Sequence, residues 1–163
     1  MASAPSDAKA GEARRGGAAT ALDAALRHPL VSPATVTVAQ VREAFRDDHL
    51  HAVLVVHGER LLAVVEREDL AHGPGPTTPA REAGRLDGRT VAAGADLEQV
   101  RLELVRSGRR RAAVVDGDAR LLGLLCLKRS GHGFCSDDDV RSRAAEHPRA
   151  VPPVGLEPTL RPF

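Results

Sequence analysis

Aromatic side chains are nearly absent from the 163-residue sequence, which has no Trp, no Tyr and three Phe. Proteins that bind single-stranded nucleic acids commonly stack bases on aromatic rings, so this absence argues against that function. An excess of either charge is also absent, because 23 Lys and Arg residues face 22 Asp and Glu residues. The formal net charge of +1 gives no reason to expect a polyanionic partner, and we expect no nucleic-acid binding.

Long apolar runs are missing as well. The longest, Leu121–Leu127, is far shorter than the roughly 20 residues that a membrane-spanning helix requires, so we expect no membrane association. Two cysteines are too few for a disulfide scaffold, and a reduced, cytoplasmic location is the default expectation. The apolar content of 42%, mostly Ala, Val and Leu, is enough for an aliphatic core.

The two ends of the sequence lack the apolar periodicity of folded segments. Residues 1–20 are mainly Ala, Gly, Ser, Pro and charged residues, which predicts a disordered tail. Residues 147–163 contain five prolines, and each proline removes a backbone donor and blocks helix formation. We therefore predict a second, Pro-rich tail at the carboxyl end.

The central part of the sequence is an internal repeat. Placing Val41 on Val100, a shift of 59 positions, aligns nine identities in order once Ala119 is treated as an insertion in a turn. The pairs are Gln40/Gln99, Val41/Val100, Arg42/Arg101, Val55/Val114, Val56/Val115, Gly58/Gly117, Arg60/Arg120, Leu61/Leu121 and Leu62/Leu122. Such an ordered series predicts two copies of one unit of roughly 60 residues.

Both copies predict the same order of elements. Thr37 and Gln40 form a capping-box pattern at the start of a helix, and Asp96 is the equivalent cap in the second copy. The apolar runs Ala52–Val56 and Leu61–Val65 predict two buried strands joined by a tight turn. The other predicted elements are strands at Leu30–Val36, Thr90–Ala92, Ala112–Val115 and Leu121–Leu127, and helices at Arg67–Ala71 and from Ser136 through Ala145. The unit is strand–helix–strand–strand–helix.

Two segments carry a family resemblance: Val114–Gly117 followed by Leu121-Leu122-Gly123, and Leu61–Leu70 at the end of the first copy. With the doubled element order, they make the chain resemble the CBS (cystathionine-β-synthase) domain pair, or Bateman module, over about Leu26 to Ala145. The resemblance implies an α/β (α+β) fold of tandem CBS motifs, with two small sheets and flanking helices related by a pseudo-two-fold axis. The implied division is a tail (1–20), motif 1 (26–72), a linker (73–89), motif 2 (90–146) and a Pro-rich tail (147–163).

The resemblance also implies a regulatory or sensing module rather than an enzyme. The cleft between CBS motifs often binds an adenine nucleotide, so the candidate ligands are AMP, ADP, ATP and S-adenosylmethionine, with no cofactor certain. Modules of this kind commonly form homodimers, and helix stacking would cover apolar positions such as Leu97, Leu102 and Leu104. An unidentified protein partner would receive the signal.

The resemblance places a candidate ribose site at the end of the third strand of each copy. Nucleotide-binding members have a Ser or Thr there and an Asp three residues later. The first copy has Glu66 and Asp69 at these positions, whereas the second has Cys126 and Arg129. One ribose acceptor, Asp69, therefore remains, since an ionised carboxylate can accept both hydroxyls of a ribose diol. The alternative role for Asp69 is to cap the short helix that follows the strand.

Arg111 is the candidate phosphate contact, because an Arg often precedes the second strand in the family. It belongs to a cluster with Arg106, Arg109 and Arg110, whose guanidinium groups suit forked pairs with phosphate. The alternative is a solvated basic surface. The candidate ligand-binding residues are Asp69, Glu66, Arg111 and Val36.

Residues of the types that bind zinc occur near the end of the second copy. His132 and Cys135 are a half-site without a second pair, and Asp137–Asp139 behind Ser136 suit a helix start, so we predict no metal. The leading interpretation is a stand-alone sensor module, and the alternative is a structural dimerisation or interaction module that binds no ligand. A metal-dependent enzyme or redox sensor using His132, Cys135 and Cys126 has the least support.

Overall fold

The computed structural model describes residues 19–139, which contain two three-stranded sheets, one in each repeat. The first repeat contains β1 (Val31–Pro33), α2 (Val38–Ala44), β2 (Ala52–His57), β3 (Arg60–Glu66) and a 3-10 helix (Arg67–Leu70). The second contains β4 (Thr90–Ala92), α3 (Leu97–Ser107), β5 (Arg111–Val115) and β6 (Leu121–Cys126). A short helix, α1 (Ala21–Ala24), precedes the first repeat, and a 3-10 helix (Ala80–Glu82) precedes the second.

The two sheets have the same topology, which confirms the predicted repeat and fold class. In each, the first strand pairs parallel with the second, and the second pairs antiparallel with the third. Each antiparallel pair has an irregularity at the equivalent place, between Val55 and Val56 and between Val114 and Val115. The inserted residue Ala119 lies in a turn with a φ of 63°.

Local capping fixes where the two main helices begin. The Thr37 hydroxyl accepts the Gln40 N–H at 3.3 Å, and the Gln40 side chain accepts the Thr37 N–H at 2.9 Å, so the predicted capping box is present. Asp96 accepts the Gln99 N–H at 2.9 Å at the start of α3. Ser136 likewise accepts the Asp139 N–H at 3.1 Å, and a helix begins at residue 137. The predicted continuation of that helix to Ala145 lies outside the described residues.

The apolar residues form a core within each repeat and a third core between the two sheets. The core between the sheets contains Leu54, Val56 and Leu61 from the first repeat and Ala113 and Leu121 from the second. Leu104, which the sequence suggested for a helix-stacking face, instead belongs to the core of the second repeat and is 5% exposed. Leu104 lies four residues after Val100 on the buried face of α3, whereas Leu102 and Val105 remain exposed.

Each repeat is completed by the segment that precedes the other repeat. Leu26, before the first repeat, exchanges two backbone hydrogen bonds with Leu124 of β6, at 2.8 and 3.1 Å. Arg85, before the second repeat, likewise forms two backbone hydrogen bonds with Val64 of β3, at 3.0 and 3.1 Å. Ala21 and Ala80, which are equivalent under the 59-residue shift, are both fully buried. The two segments are therefore swapped between the repeats.

This exchange moves two boundaries expected from the sequence, the end of the amino-terminal tail and the start of the first motif. The sequence assigned residues 1–20 to a tail, but the Ala19 carbonyl accepts the Leu97 N–H at 2.8 Å and Thr20 caps α1. Residues 19–25 pack on the second repeat through Ala21 and Ala25, although the first motif was expected to begin only at residue 26. Small alanines carried too weak an apolar signal to reveal this packing. The rest of the predicted tails, residues 1–18 and 147–163, lies outside the described residues.

Replacing Gly123 with Ala tests the docking of the amino-terminal segment on β6. A Cβ at Gly123 would lie 2.7 Å from both the Ala25 Cβ and the Leu26 carbonyl oxygen, so Gly123→Ala must displace the segment. We expect a loss of about 1–3 kcal/mol in the free energy of unfolding, measured by chemical denaturation. The control is Gly117→Ala, because no atom lies within 4 Å of a Cβ there. Equal stability of the two variants would contradict the docking.

Candidate functional site

A cleft of about 310 Å³ lies where the two repeats meet, and we call it the arginine cleft. Its lining residues are His51, Glu66, Glu68, Ser107, Gly108, Arg109, Arg110 and Arg111. The first three belong to the first repeat and the others to the second, so the cleft exists only when the repeats are docked.

The end of α3 places three consecutive arginines in this cleft. Gly108 has a φ of 71°, which is the left-handed conformation that ends many helices. The Arg109 N–H then donates to the Leu104 carbonyl at 2.9 Å, and β5 begins at Arg111. Positive side chains at a helix carboxyl end also interact favourably with the helix dipole. The turn at Gly108 therefore places the run Arg109–Arg111 along one wall of the cleft and gives that wall a positive charge.

Glu66 joins the two repeats by an ion pair across the cleft. Its carboxylate is 3.1 Å from Arg109 Nη1, and both side chains are largely buried. Glu68, on the first repeat, lies 3.7 Å from Arg109 and is mostly exposed. Burial raises the pKa of Glu66 above its usual value, even though Arg89 and Arg109 favour the charged form. Glu66 is therefore the more buried of two acceptors within the cleft and a link between the repeats.

Behind the cleft, a fully buried arginine holds the acidic end of β3. Arg89 donates to both carboxylate oxygens of Asp69, at 2.5 and 2.9 Å, and to the Val64 carbonyl at 2.7 Å. It also lies 3.3 Å from Glu68 and 3.4 Å from Glu66. The Arg89 side chain is 0% exposed, so its charge is neutralised almost wholly by protein groups.

Asp69 has two roles in this network. Its Oδ2 accepts the Glu66 N–H at 2.7 Å, so it caps the 3-10 helix, the alternative role considered from the sequence. Burial alone would raise the pKa of Asp69, but the hydrogen bonds from Arg89 and Glu66 outweigh burial and hold that pKa below its usual value. Arg89 therefore already donates to both carboxylate oxygens of Asp69, which the sequence predicted would accept hydrogen bonds from a ribose.

The four sequence-derived candidates thus lie in three different environments. Glu66 and Arg111 line the arginine cleft. Asp69 lies behind it, paired with Arg89. Val36 is 2% exposed and packs in the core of the first repeat, so it does not line the cleft.

Sequence reasoning missed Arg89 and gave no role to His51. Arg89 lies in the predicted linker, where a single arginine suggests a solvated residue. The available signal was the 59-residue shift, which aligns Arg89 with Leu30 and so with an apolar position. Burial, and then the positive charges of Arg111 and Arg110, lower the pKa of His51 and so favour its neutral form.

Among residues 19–139, no three His, Cys, Asp or Glu side chains are grouped closely enough to hold a metal ion. Within the same range, no helix is both long enough and apolar enough to span a bilayer.

Comparison with known proteins finds similarity in structure alone. No family model and no curated protein sequence matches the chain. The CBS domains of a transcriptional regulator from Streptococcus pneumoniae align with a TM-score of 0.55 and 16% identity, covering 76% of this chain and 98% of that one. A CBS domain protein from Thermoplasma acidophilum, TA0289, aligns at 0.55 and 16%, covering 78% and 77%. The CBS domain pair of MJ0100, in complex with 5′-methylthioadenosine and S-adenosyl-L-methionine, aligns at 0.54 and 11%, covering 79% and 98%.

Replacing Arg89 with Leu, the residue at the equivalent place in the first repeat, tests the buried network. Arg89→Leu leaves Asp69 without its cation, and we expect a loss of about 3–5 kcal/mol in the free energy of unfolding at pH 7. The exposed Arg81→Leu is the control and should change stability by less than about 0.5 kcal/mol.

The loss in Arg89→Leu should depend on pH. The pKa of Asp69 is lowered in the folded wild type, so its contribution is present above the ordinary value of 3.8 and is lost as the pH falls further. In the variant, burial without the Arg89 cation raises the pKa of Asp69. The folded variant therefore gains a proton, and with it stability, as the pH falls from 7 towards 4, whereas Asp69 of the wild type stays ionised, so the stability gap between the two proteins should narrow towards pH 4. Urea denaturation at pH 7 and pH 4 measures both gaps, and an equal gap at the two pH values would contradict the assignment.

Proposed function

The chain has the fold of a CBS domain pair, and from this premise we propose that it is a non-catalytic regulatory module that binds a small anionic ligand in the arginine cleft. The observation that carries the proposal is the cleft itself, to which each repeat contributes side chains. A ligand that contacts both repeats can change how they dock. Regulation of a partner protein in the cytoplasm would follow from that change.

The charge and donor groups of the arginine cleft favour a phosphate-bearing ligand. Three arginines face two glutamates, and Ser107 adds a hydroxyl at the edge. Guanidinium groups present paired N–H donors that match phosphate oxygens, and they remain charged at all physiological pH values. The cleft volume of about 310 Å³ lies at the lower end of the usual range for ligand pockets.

An adenine nucleotide is the ligand class we favour, with AMP, ADP, ATP and S-adenosylmethionine as the candidates. The MJ0100 domain pair, which shares the fold, is in complex with two adenosine derivatives. In this proposal Arg111 contacts phosphate and Glu66 accepts from a ribose hydroxyl. Asp69 acts through Arg89 rather than on the ligand, because Arg89 engages both of its carboxylate oxygens.

Competition between the ligand and Glu66 for Arg109 couples ligand binding to the buried ion-pair network around Arg89. Arg109 pairs with Glu66 across the repeats at 3.1 Å. An anion that binds Arg109 weakens this pair, and Glu66 then interacts more strongly with the buried Arg89, which is 3.4 Å away. The ligand thereby shifts Glu66 from Arg109, which precedes β5, towards Arg89, which precedes β4.

Titration calorimetry of Arg111→Ala tests the nucleotide site. We expect one site per chain and a loss of about 1.5–3 kcal/mol in the binding free energy of ATP or ADP, as for hydrogen bonds to charged groups. The binding free energy of adenosine, which has no phosphate, should fall much less in this variant. The control is Arg106→Ala, which removes the same charge from α3 at a side chain that is 73% exposed and does not line the cleft.

Two outcomes would contradict the ligand proposal. Equal affinity in Arg111→Ala and Arg106→Ala would mean that the cleft is not the site. An absence of heat with all four candidate ligands would favour the second function instead.

The second candidate function is a dimerisation or interaction module that binds no ligand. The observation that favours it is the pairing of Asp69 with Arg89, because a protein side chain already occupies the expected ribose acceptor. Leu102 and Val105 are the exposed large apolar residues of the described part, 39% and 51% exposed, and both lie on α3. A second copy that covered them would form the homodimer expected from the sequence.

Sedimentation of Val105→Glu tests the homodimer. Because Val105 is 51% exposed, the substitution should leave the fold intact while placing a charge in the apolar contact. We expect the wild type to sediment as a dimer at micromolar concentration and the variant as a monomer. The control, Thr77→Glu, adds the same charge at an exposed residue outside α3 and should remain dimeric. A monomeric wild type would contradict dimerisation.

A further inference from the structure

Cys126 and Cys135 lie against each other at the end of β6. Their sulfur atoms are 2.9 Å apart, and each residue is 3% exposed. They pack with Leu26, from the segment that docks on the second repeat. The sequence contains no other cysteine, so neither has a competing thiol within the chain.

The backbone between the two cysteines holds them in register. The Cys135 N–H donates to the Cys126 carbonyl at 2.7 Å, and Leu127 and Phe134 pair in an antiparallel bridge. The Lys128 N–H donates to the Gly133 carbonyl at 2.8 Å, which closes the loop. The cysteines are therefore opposite each other across an antiparallel pair. A disulfide of about 2.05 Å requires the sulfurs to approach by less than about 1 Å.

From this geometry, we propose that Cys126 and Cys135 form an intramolecular disulfide when the protein meets a peroxide. One thiolate attacks hydrogen peroxide, which breaks the O–O bond and gives a sulfenic acid and hydroxide. The other sulfur then attacks the sulfenic sulfur, so an S–S bond forms and water leaves. In total, two thiols and one peroxide give one disulfide and two waters, and the two electrons lost by sulfur reduce the peroxide.

The disulfide would fasten the end of β6 to the start of the next helix. Cys135 immediately precedes Ser136, which caps that helix. The bond would also restrict residues 126–135 in the unfolded chain, so the oxidised protein should be more stable than the reduced one. The site belongs to the second repeat, because the first has Glu66 at the position equivalent to Cys126. Burial of both sulfurs shields the bond from bulky thiols once it has formed.

The test treats the reduced full-length protein with hydrogen peroxide and counts thiols with a maleimide after denaturation. We expect two reactive thiols before treatment, none after it, and two again after dithiothreitol. The oxidised chain should be lighter by about 2 Da, the mass of the two hydrogens lost in forming the bond. Trypsin cleaves at Lys128 and Arg129, so the peptides containing Cys126 and Cys135 should stay joined until they are reduced.

Thermal unfolding supplies a second readout. The melting temperature of the wild type should rise by several degrees on oxidation, whereas Cys126→Ser and Cys135→Ser should show no rise. Two thiols that persist after peroxide would overturn the proposal. Covalent dimers on a non-reducing gel, or sulfinic acid at one cysteine without a link, would overturn it as well.

Discussion

The reciprocal backbone pairing of Leu26 with Leu124 and of Arg85 with Val64 is the constraint on which the rest of the structure depends. Each pair fastens the segment that precedes one repeat to the third strand of the other. Neither repeat is therefore complete alone, since a three-stranded sheet this small needs further cover for its apolar face. The core between the sheets, with Leu61 and Leu121 fully buried, forms only when both repeats are present.

The arginine cleft follows from the same docking. Glu66 at the end of β3 meets Arg109, which precedes β5, because the two sheets face each other. Arg89 enters the network from the segment between the repeats and neutralises Asp69 behind the cleft. The buried network and the cleft wall therefore share Glu66 and Glu68, each of which lies near both Arg89 and Arg109. A change at the cleft reaches the interior through these two carboxylates, of which Glu66 is the more buried.

Much of the fold was predictable from the sequence because the repeat is periodic. Thr37 and Asp96 marked the two helix starts, and the β-branched runs marked the strands, because these signals are local. The exchange of segments was not predictable from composition, since Ala21 and Ala80 differ little from alanines in a tail. The site was predictable only in part. Arg111 and Glu66 line the cleft, but the distant pairing of Arg89 with Asp69 depends on tertiary contacts that no sequence period encodes.

The most direct test of this account is native-state hydrogen exchange at the amides of Leu26, Leu124, Val64 and Arg85, followed by NMR. If the exchanged segments make the two repeats one cooperative unit, all four amides should exchange only through global unfolding. Their opening free energies should then equal the free energy of unfolding from denaturant titration. Opening of the Leu26–Leu124 pair at a much lower free energy than the Arg85–Val64 pair would contradict the account.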